Sequence, residues 1–196
     1  MCIFVKVIKI MKTDNTSQLN FSLVGFTSIQ IGVYILLAAF VIETLLLNFL
    51  DADTLGLSSE INLVTAIATI TFFTVLFSFF AMLFKGKRNA KKQQLQLWNQ
   101  KSVATFWIIL ISFLSIYGIL FFVYTQNLED FITPTFLLFY GLLLFVFHKK
   151  ERKNLLVISG ICLLFSIICF MIPTYWYSSL VILGVAHITY GVVVKE

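Results

Sequence analysis

Two ionisable side chains, Glu43 and His187, lie inside apolar stretches that are long enough to cross a membrane. Burying an ionisable group in hydrocarbon is costly, so such residues are the first candidates for a functional site. One interpretation is a Glu–His pair that binds a ligand or a proton. The other, which we favour, is a neutral, hydrogen-bonded histidine with Glu43 reaching the outer interface, because a single histidine is too little to define a proton relay.

Motifs of known catalytic, cofactor and metal sites are absent from the sequence. It contains no His-Glu-x-x-His, no Gly-x-Ser-x-Gly, no Walker loop and no dinucleotide fingerprint. The start of a calcium loop is echoed by Asp51, Asp53 and Gly56. However, position five is Leu55, which has no side-chain ligand, and position twelve is Asn62, where an acidic bidentate ligand is required. The three cysteines form no Cys-x-x-Cys pair. We therefore expect a protein that is not an enzyme and that uses neither a cofactor nor a metal.

The elements that must position Glu43 and His187 are six predicted transmembrane helices. Sixty per cent hydrophobic residues, 12% charged residues and a mean hydropathy of +0.98 exclude a soluble globular domain. Each apolar stretch approaches the roughly 20 residues that a spanning helix needs, and none alternates as a barrel strand would. The predicted spans are 27–49, 61–84, 102–125, 131–148, 154–172 and 178–194. The fold prediction is an all-α polytopic membrane domain over 21–196, after a cytoplasmic segment over 1–20.

The distribution of basic residues predicts the orientation of these spans. All 14 Lys and Arg residues can be placed on one side, because the alternate connections 50–60, 126–130 and 173–177 contain none. Basic residues near span ends stay cytoplasmic, so both termini are predicted to be cytoplasmic. This topology also explains the net charge of +5 without a nucleic-acid partner. Lysines at positions 6, 9 and 12 interrupt the apolar N-terminal segment, which therefore does not resemble a signal peptide.

The most polar segment is the predicted cytoplasmic loop 85–101, which could contact lipid head groups or a partner protein. Topology alone explains its charges, and that is the interpretation we favour. The expected partners are the lipid bilayer and a further membrane protein or a second copy of the chain. The candidate contact residues are Lys87, Arg88, Lys91, Lys92 and Trp98.

Small and weakly polar residues recur at helical spacing and predict contacts between helices. Helix interfaces in membranes favour such residues because they let two backbones approach closely. We therefore expect packing seams, and not a permeation path, at these positions. They are Asn62, Thr65 and Thr69, then Thr71, Thr74 and Ser78 in span two, Ser159, Cys162, Ser166 and Cys169 in span five, Tyr140–Gly141, and Gly184, His187 and Gly191.

Several segments resemble a family of uncharacterised six-span membrane proteins from Bacteroidota. The similar parts are LVGFTSIQIGVYILLAAF (23–40), KKQQLQLWNQKS (91–102), FITPTFLLFYGLLL (131–144) and GVAHITYGVVV (184–194). Span one departs from the glycine-rich start of that family, since only Gly25 and Gly32 occur there. The resemblance implies a bacterial inner-membrane location and implies no activity.

Two functions are compatible with these observations. We predict a non-catalytic, membrane-embedded accessory or signalling partner. The alternative is a small transporter or channel that uses Glu43 and His187 in a polar cavity. No span is broken by proline and glycine at mid-depth, as the binding sites of transporters often are, and this favours the first function.

Overall fold

Helices make up the regular structure of this protein. A computed structural model describes residues 23, 25–53, 60–92, 100–148 and 155–194, and no strand occurs in those ranges. Short 3₁₀ turns at Glu129–Phe131 and Pro173–Tyr175 precede the fourth and sixth helices. The helices are α1 (Phe26–Asp53), α2 (Glu60–Lys92), α3 (Gln100–Thr125), α4 (Ile132–His148), α5 (Leu155–Met171) and α6 (Trp176–Val193).

Five of the six helices are long and apolar enough to cross a membrane. Their apolar parts are Phe26–Phe49, Thr65–Arg88, Phe106–Thr125, Glu129–Val146 and Pro173–Val193. The remaining helix, α5, is mostly apolar but has 17 residues, or roughly 25 Å at 1.5 Å per residue. The prediction of an all-α fold is thus confirmed, and five such helices indicate a multi-pass membrane protein.

The helix α2 extends further than predicted. A loop was expected over 85–101, yet α2 continues to Lys92 and α3 begins at Gln100, so the prediction is wrong outside 93–99. Lysine, arginine and alanine are good helix formers, and basic side chains interact favourably with the negative end of the helix dipole. The candidate contact residues Lys87, Arg88 and Lys91 therefore project from a helix.

The packing order of the helices differs from their order along the chain. The most extensive contacts join α1 to α6 and α4 to α5, while α2 packs on α1, α3 on α4, and α5 on α6. The resulting order is α2–α1–α6–α5–α4–α3. The first and last helices of this order, α2 and α3, also contact each other. The rings of Phe79 and Phe106 lie 5.3 Å apart, and the Tyr117 hydroxyl donates to the Ala68 carbonyl at 3.0 Å.

A tight turn sets α4 beside α3. Asn127 has a φ of 57°, in the left-handed region that asparagine tolerates better than most residues. The amide of Asn127 donates to the Tyr124 carbonyl and the amide of Leu128 donates to the Val123 carbonyl. These bonds satisfy the last carbonyls of α3 and end the helix, as is common at helix C-termini.

Candidate functional site

A glycine seam brings α1 and α6 together. A Cβ atom at Gly32 would lie 2.5 Å from the Gly184 carbonyl oxygen, and one at Gly191 would lie 2.6 Å from the Gly25 carbonyl oxygen. Gly25 pairs with Gly191 at one end and Gly32 with Gly184 at the other, so the two helices run antiparallel. The backbones approach too closely for any other side chain. The prediction that Gly184 and Gly191 face a neighbouring helix is confirmed.

His187 lies between these glycines and is 0% exposed. Its Nδ1 atom is 3.1 Å from the Ser28 hydroxyl of α1, and its Nε2 atom is 2.8 Å from the Tyr140 hydroxyl of α4. The Ser28 hydroxyl also donates to the His187 carbonyl at 2.8 Å. The imidazole therefore joins three helices, and we call these three residues the His187 network.

The bonds of the His187 network assign the tautomer of the ring. A serine hydroxyl carries one hydrogen, and Ser28 gives it to the His187 carbonyl, so Nδ1 must be the donor toward the Ser28 oxygen. In a neutral ring Nε2 is then bare and accepts the hydrogen of Tyr140. The expected donated bond is found, and the second nitrogen is bonded as well. A neutral imidazole satisfies every polar atom of the network.

The partner Tyr140 is held in place by its own helix and by α5. Its ring stacks on Phe136 with centroids 5.6 Å apart. The next residue, Gly141, packs on α5, where a Cβ atom would lie 3.0 Å from Cβ of Cys162. The Ser159 hydroxyl donates to the Gly141 carbonyl at 2.7 Å. The prediction that Tyr140–Gly141 lies at a helix contact is confirmed.

The weakly polar stripe of α5 is also a packing seam, as predicted. Cys162 and Cys169 are free thiols, both fully buried. The Ser166 hydroxyl donates to the Pro134 carbonyl of α4 at 2.8 Å. The Cys169 sulfur lies 3.0 Å from the Ser179 hydroxyl of α6. One face of α5 thus contacts both of its neighbours.

The prediction that small and weakly polar residues lie at contacts between helices is wrong for part of α2. Thr65 and Thr69 are exposed, and the Thr69 hydroxyl donates to the Thr65 carbonyl of its own helix. A threonine can satisfy its hydroxyl on the carbonyl four residues earlier, so its presence does not require a neighbouring helix. On the other stripe, Ser78 is buried and Thr74 half-buried. The side chain of Asn62 lies outside the described part of the structure.

The structure does not bring Glu43 to His187. Glu43 lies fifteen positions beyond Ser28 on α1, which is roughly 22 Å along a helix axis at 1.5 Å per residue. Continuing the antiparallel register of α1 and α6 puts Glu43 level with the turn Pro173–Tyr175, where its side chain is half-buried. Among the described residues, no group of three or more His, Cys, Asp or Glu could hold a metal ion.

The candidate residues for contact with lipid head groups or a partner protein lie at the C-terminal end of α2. Lys87, Arg88 and Lys91 are exposed there, and Lys92 is the last residue of the helix. Trp98 lies outside the described residues. Lys85, which was not among the predicted contact residues, is half-buried.

A cleft opens among α1, α2, α3 and α4, next to Tyr140. It is partly open, and the space in and in front of it is about 730 Å³. We call it the α2–α3 cleft. Most of its lining is aliphatic or aromatic. The lining includes Ile31, Thr74, Ser78, Met82, Phe113 and Tyr140.

Two partners of His187, Ser28 and Tyr140, were not predicted from the sequence. A signal for Ser28 was present, because Gly25, Ser28 and Gly32 have the same spacing as Gly184, His187 and Gly191. When two such stripes pack antiparallel, their central polar residues meet. No comparable spacing relates Tyr140 to His187, since their contact depends on the position of α4.

Comparison with known proteins adds no identity to this geometry. No family model matches the chain, and no curated protein or solved structure shows significant similarity to it. The resemblance to six-span proteins of Bacteroidota therefore stays a prediction.

Proposed function

We propose that this chain is a six-span protein of the bacterial inner membrane with both termini in the cytoplasm. The placement of all 14 basic residues on one side supports this orientation. The short helix α5 packs between α4 and α6, and neighbours of spanning length favour a crossing for α5 as well. A short span is accommodated by local thinning of the bilayer or by interfacial side chains.

Within the membrane the protein acts without catalysis, as an accessory or signalling partner of another membrane protein. The observation that carries this proposal is the closed His187 network. His187 is buried, both ring nitrogens are bonded inside the protein, and Glu43 lies roughly 22 Å away along α1. An imidazole in this arrangement fixes three helices and offers no nitrogen to a substrate.

The transporter alternative has weaker support. It requires Glu43 and His187 to share a polar cavity, whereas the register of α1 and α6 separates them. The cleft beside Tyr140 has a mostly apolar lining and includes neither residue. A path for a polar solute would have to lie elsewhere in the protein.

Reporter fusions test the topology. Fusions after residues 56, 93, 127, 151 and 196 should be external, cytoplasmic, external, cytoplasmic and cytoplasmic, in that order. An external signal at 93 would contradict the orientation, and a cytoplasmic signal at 127 would contradict the number of spans.

Purification in mild detergent tests the accessory role. A tagged chain should co-purify with a defined membrane protein, and His187→Gln should retain that partner because an amide supplies one donor and one acceptor. A correctly folded His187→Gln protein that lost the partner would argue that the imidazole itself takes part in function. Purification of the chain alone would count against the accessory role.

A further inference from the structure

We propose that the α2–α3 cleft binds one acyl chain of an anionic glycerophospholipid, whose phosphate is held by Lys85. The lipid comes from the cytoplasmic leaflet. This inference rests on the proposed topology, which puts the C-terminal end of α2 at the cytoplasmic surface.

The walls of the cleft suit a hydrocarbon chain. The hydroxyls of Thr74 and Ser78 donate to the carbonyls of Ile70 and Thr74 at 2.8 and 2.7 Å, and the Tyr140 hydroxyl donates to His187. Each of these three lining hydroxyls thus uses its hydrogen inside the protein. A hydrocarbon chain leaves none of these donors unpaired, whereas water is held poorly in a mostly apolar space.

The position of Lys85 suits the phosphate. Thr74, Ser78, Met82 and Lys85 follow one another at helical spacing, and the first three line the cleft. Lys85 lies one turn beyond Met82 and is half-buried. A lysine in this place can lay its aliphatic stem along an apolar surface and extend its ammonium group to the head-group layer. Lys87 lies on the opposite face of α2 and is exposed.

Selectivity among lipids has to come from the charge of the head group, because binding of the acyl chain does not supply it. Moving an acyl chain from the bilayer into the cleft gains no hydrophobic free energy, because lipid tails are as apolar as the walls. The chain contributes dispersion contacts with lining side chains such as Ile31 and Phe113. Those contacts do not distinguish one head group from another. Selectivity therefore comes from the charge of Lys85 and the basic residues that follow it.

Photo-crosslinking of the full-length chain in nanodiscs tests this site. The probe is phosphatidylglycerol with a diazirine on one acyl chain, in a background of phosphatidylcholine, and adducts are located by mass spectrometry of peptides. We expect adducts on cleft residues such as Met82 and Phe113. The same label on phosphatidylcholine should give about fivefold fewer of them, the factor that one basic residue near a charged surface contributes.

Two pairs of variants separate the chain from the head group. Ser78→Phe fills the cleft and should remove its adducts, whereas Ser115→Phe, on an exposed position of α3, should keep them. Val75→Phe is a second filler if Ser78→Phe does not fold. Lys85→Gln should lower phosphatidylglycerol labelling to the phosphatidylcholine level, and Lys87→Gln should not.

Two results would overturn the site. Labelling of the cleft that is no stronger than labelling of the exposed Phe72 and Phe121, or that survives both fillers, would exclude a bound chain. If Lys85→Gln and Lys87→Gln lowered phosphatidylglycerol labelling of the cleft equally, a phosphate held by Lys85 would be excluded. An external reporter signal at 93 would instead overturn the topology and the leaflet assignment, so the two failures are distinguishable.

Discussion

The α1–α6 seam and the α2–α3 side of the molecule are both built from apolar helices, yet they pack very differently. In the most apolar stretch of α6, 33% of residues are buried inside the protein, against 11% in α3. Glycines let the backbones of α1 and α6 meet, whereas α2 and α3 touch through large side chains such as Phe79 and Phe106. Hydrophobicity therefore does not decide which helices pack closely in a membrane. Small residues with matched polar partners do.

The largest loss of stability should come from adding a side chain to the glycine seam between α1 and α6. Gly191→Leu forces a side chain against the Gly25 carbonyl and Ile29, and we expect a loss of about 3 kcal/mol in unfolding free energy, at the upper end for overpacking. Equilibrium unfolding in mixed detergent micelles measures it.

Gly118→Leu on α3 is the matched control for this change. A Cβ atom there meets nothing within 4 Å, and leucine is the better helix former, so stability should stay equal or rise. Equal losses in the two variants would mean that the seam is no tighter than the α3 surface.

A smaller loss should follow from removing one hydroxyl of the His187 network. Tyr140→Phe leaves the Nε2 atom of His187 buried without a donor, which costs about 2 kcal/mol. Tyr117→Phe removes a hydroxyl whose bond to the Ala68 carbonyl is exposed, so its cost should be no more than about 1 kcal/mol. The same unfolding assay compares them. If Tyr117→Phe lost as much unfolding free energy as Tyr140→Phe, the His187 network would contribute no more stability than an exposed hydrogen bond.

The smallest change in unfolding free energy is expected at Thr27, and there we expect a gain and not a loss. Its hydroxyl is buried, and it has no hydrogen-bond partner in the described part of the structure. Thr27→Val replaces that hydroxyl with a methyl group of similar size, so we expect a gain of about 1 kcal/mol.

Its neighbour Ser28 provides the comparison. Ser28→Ala removes the acceptor of His187 Nδ1–H and should destabilise the protein in the same assay. Destabilisation by Thr27→Val would show that its hydroxyl has a partner after all.

The residue patterns predicted one seam well and another badly, for a physical reason. The stripe of Ser159, Cys162 and Ser166 lies on a helix packed between two others, so its small residues are buried. Thr65 and Thr69 have a similar spacing on α2, yet both are exposed, and the Thr69 hydroxyl is satisfied by a carbonyl of its own helix. The pattern alone does not tell these situations apart.

The sequence by itself determined the all-α class and the burial of His187, because these follow from composition and from the cost of exposing polar groups to hydrocarbon. Of the six predicted spans, five are helices long and apolar enough to cross a membrane. Tertiary structure decided the partners of His187, the separation of Glu43 from it, and the cleft next to Tyr140. Those features depend on which helices become neighbours and in what register. Hydropathy carries no such information, because every apolar helix is equally soluble in the lipid that surrounds it.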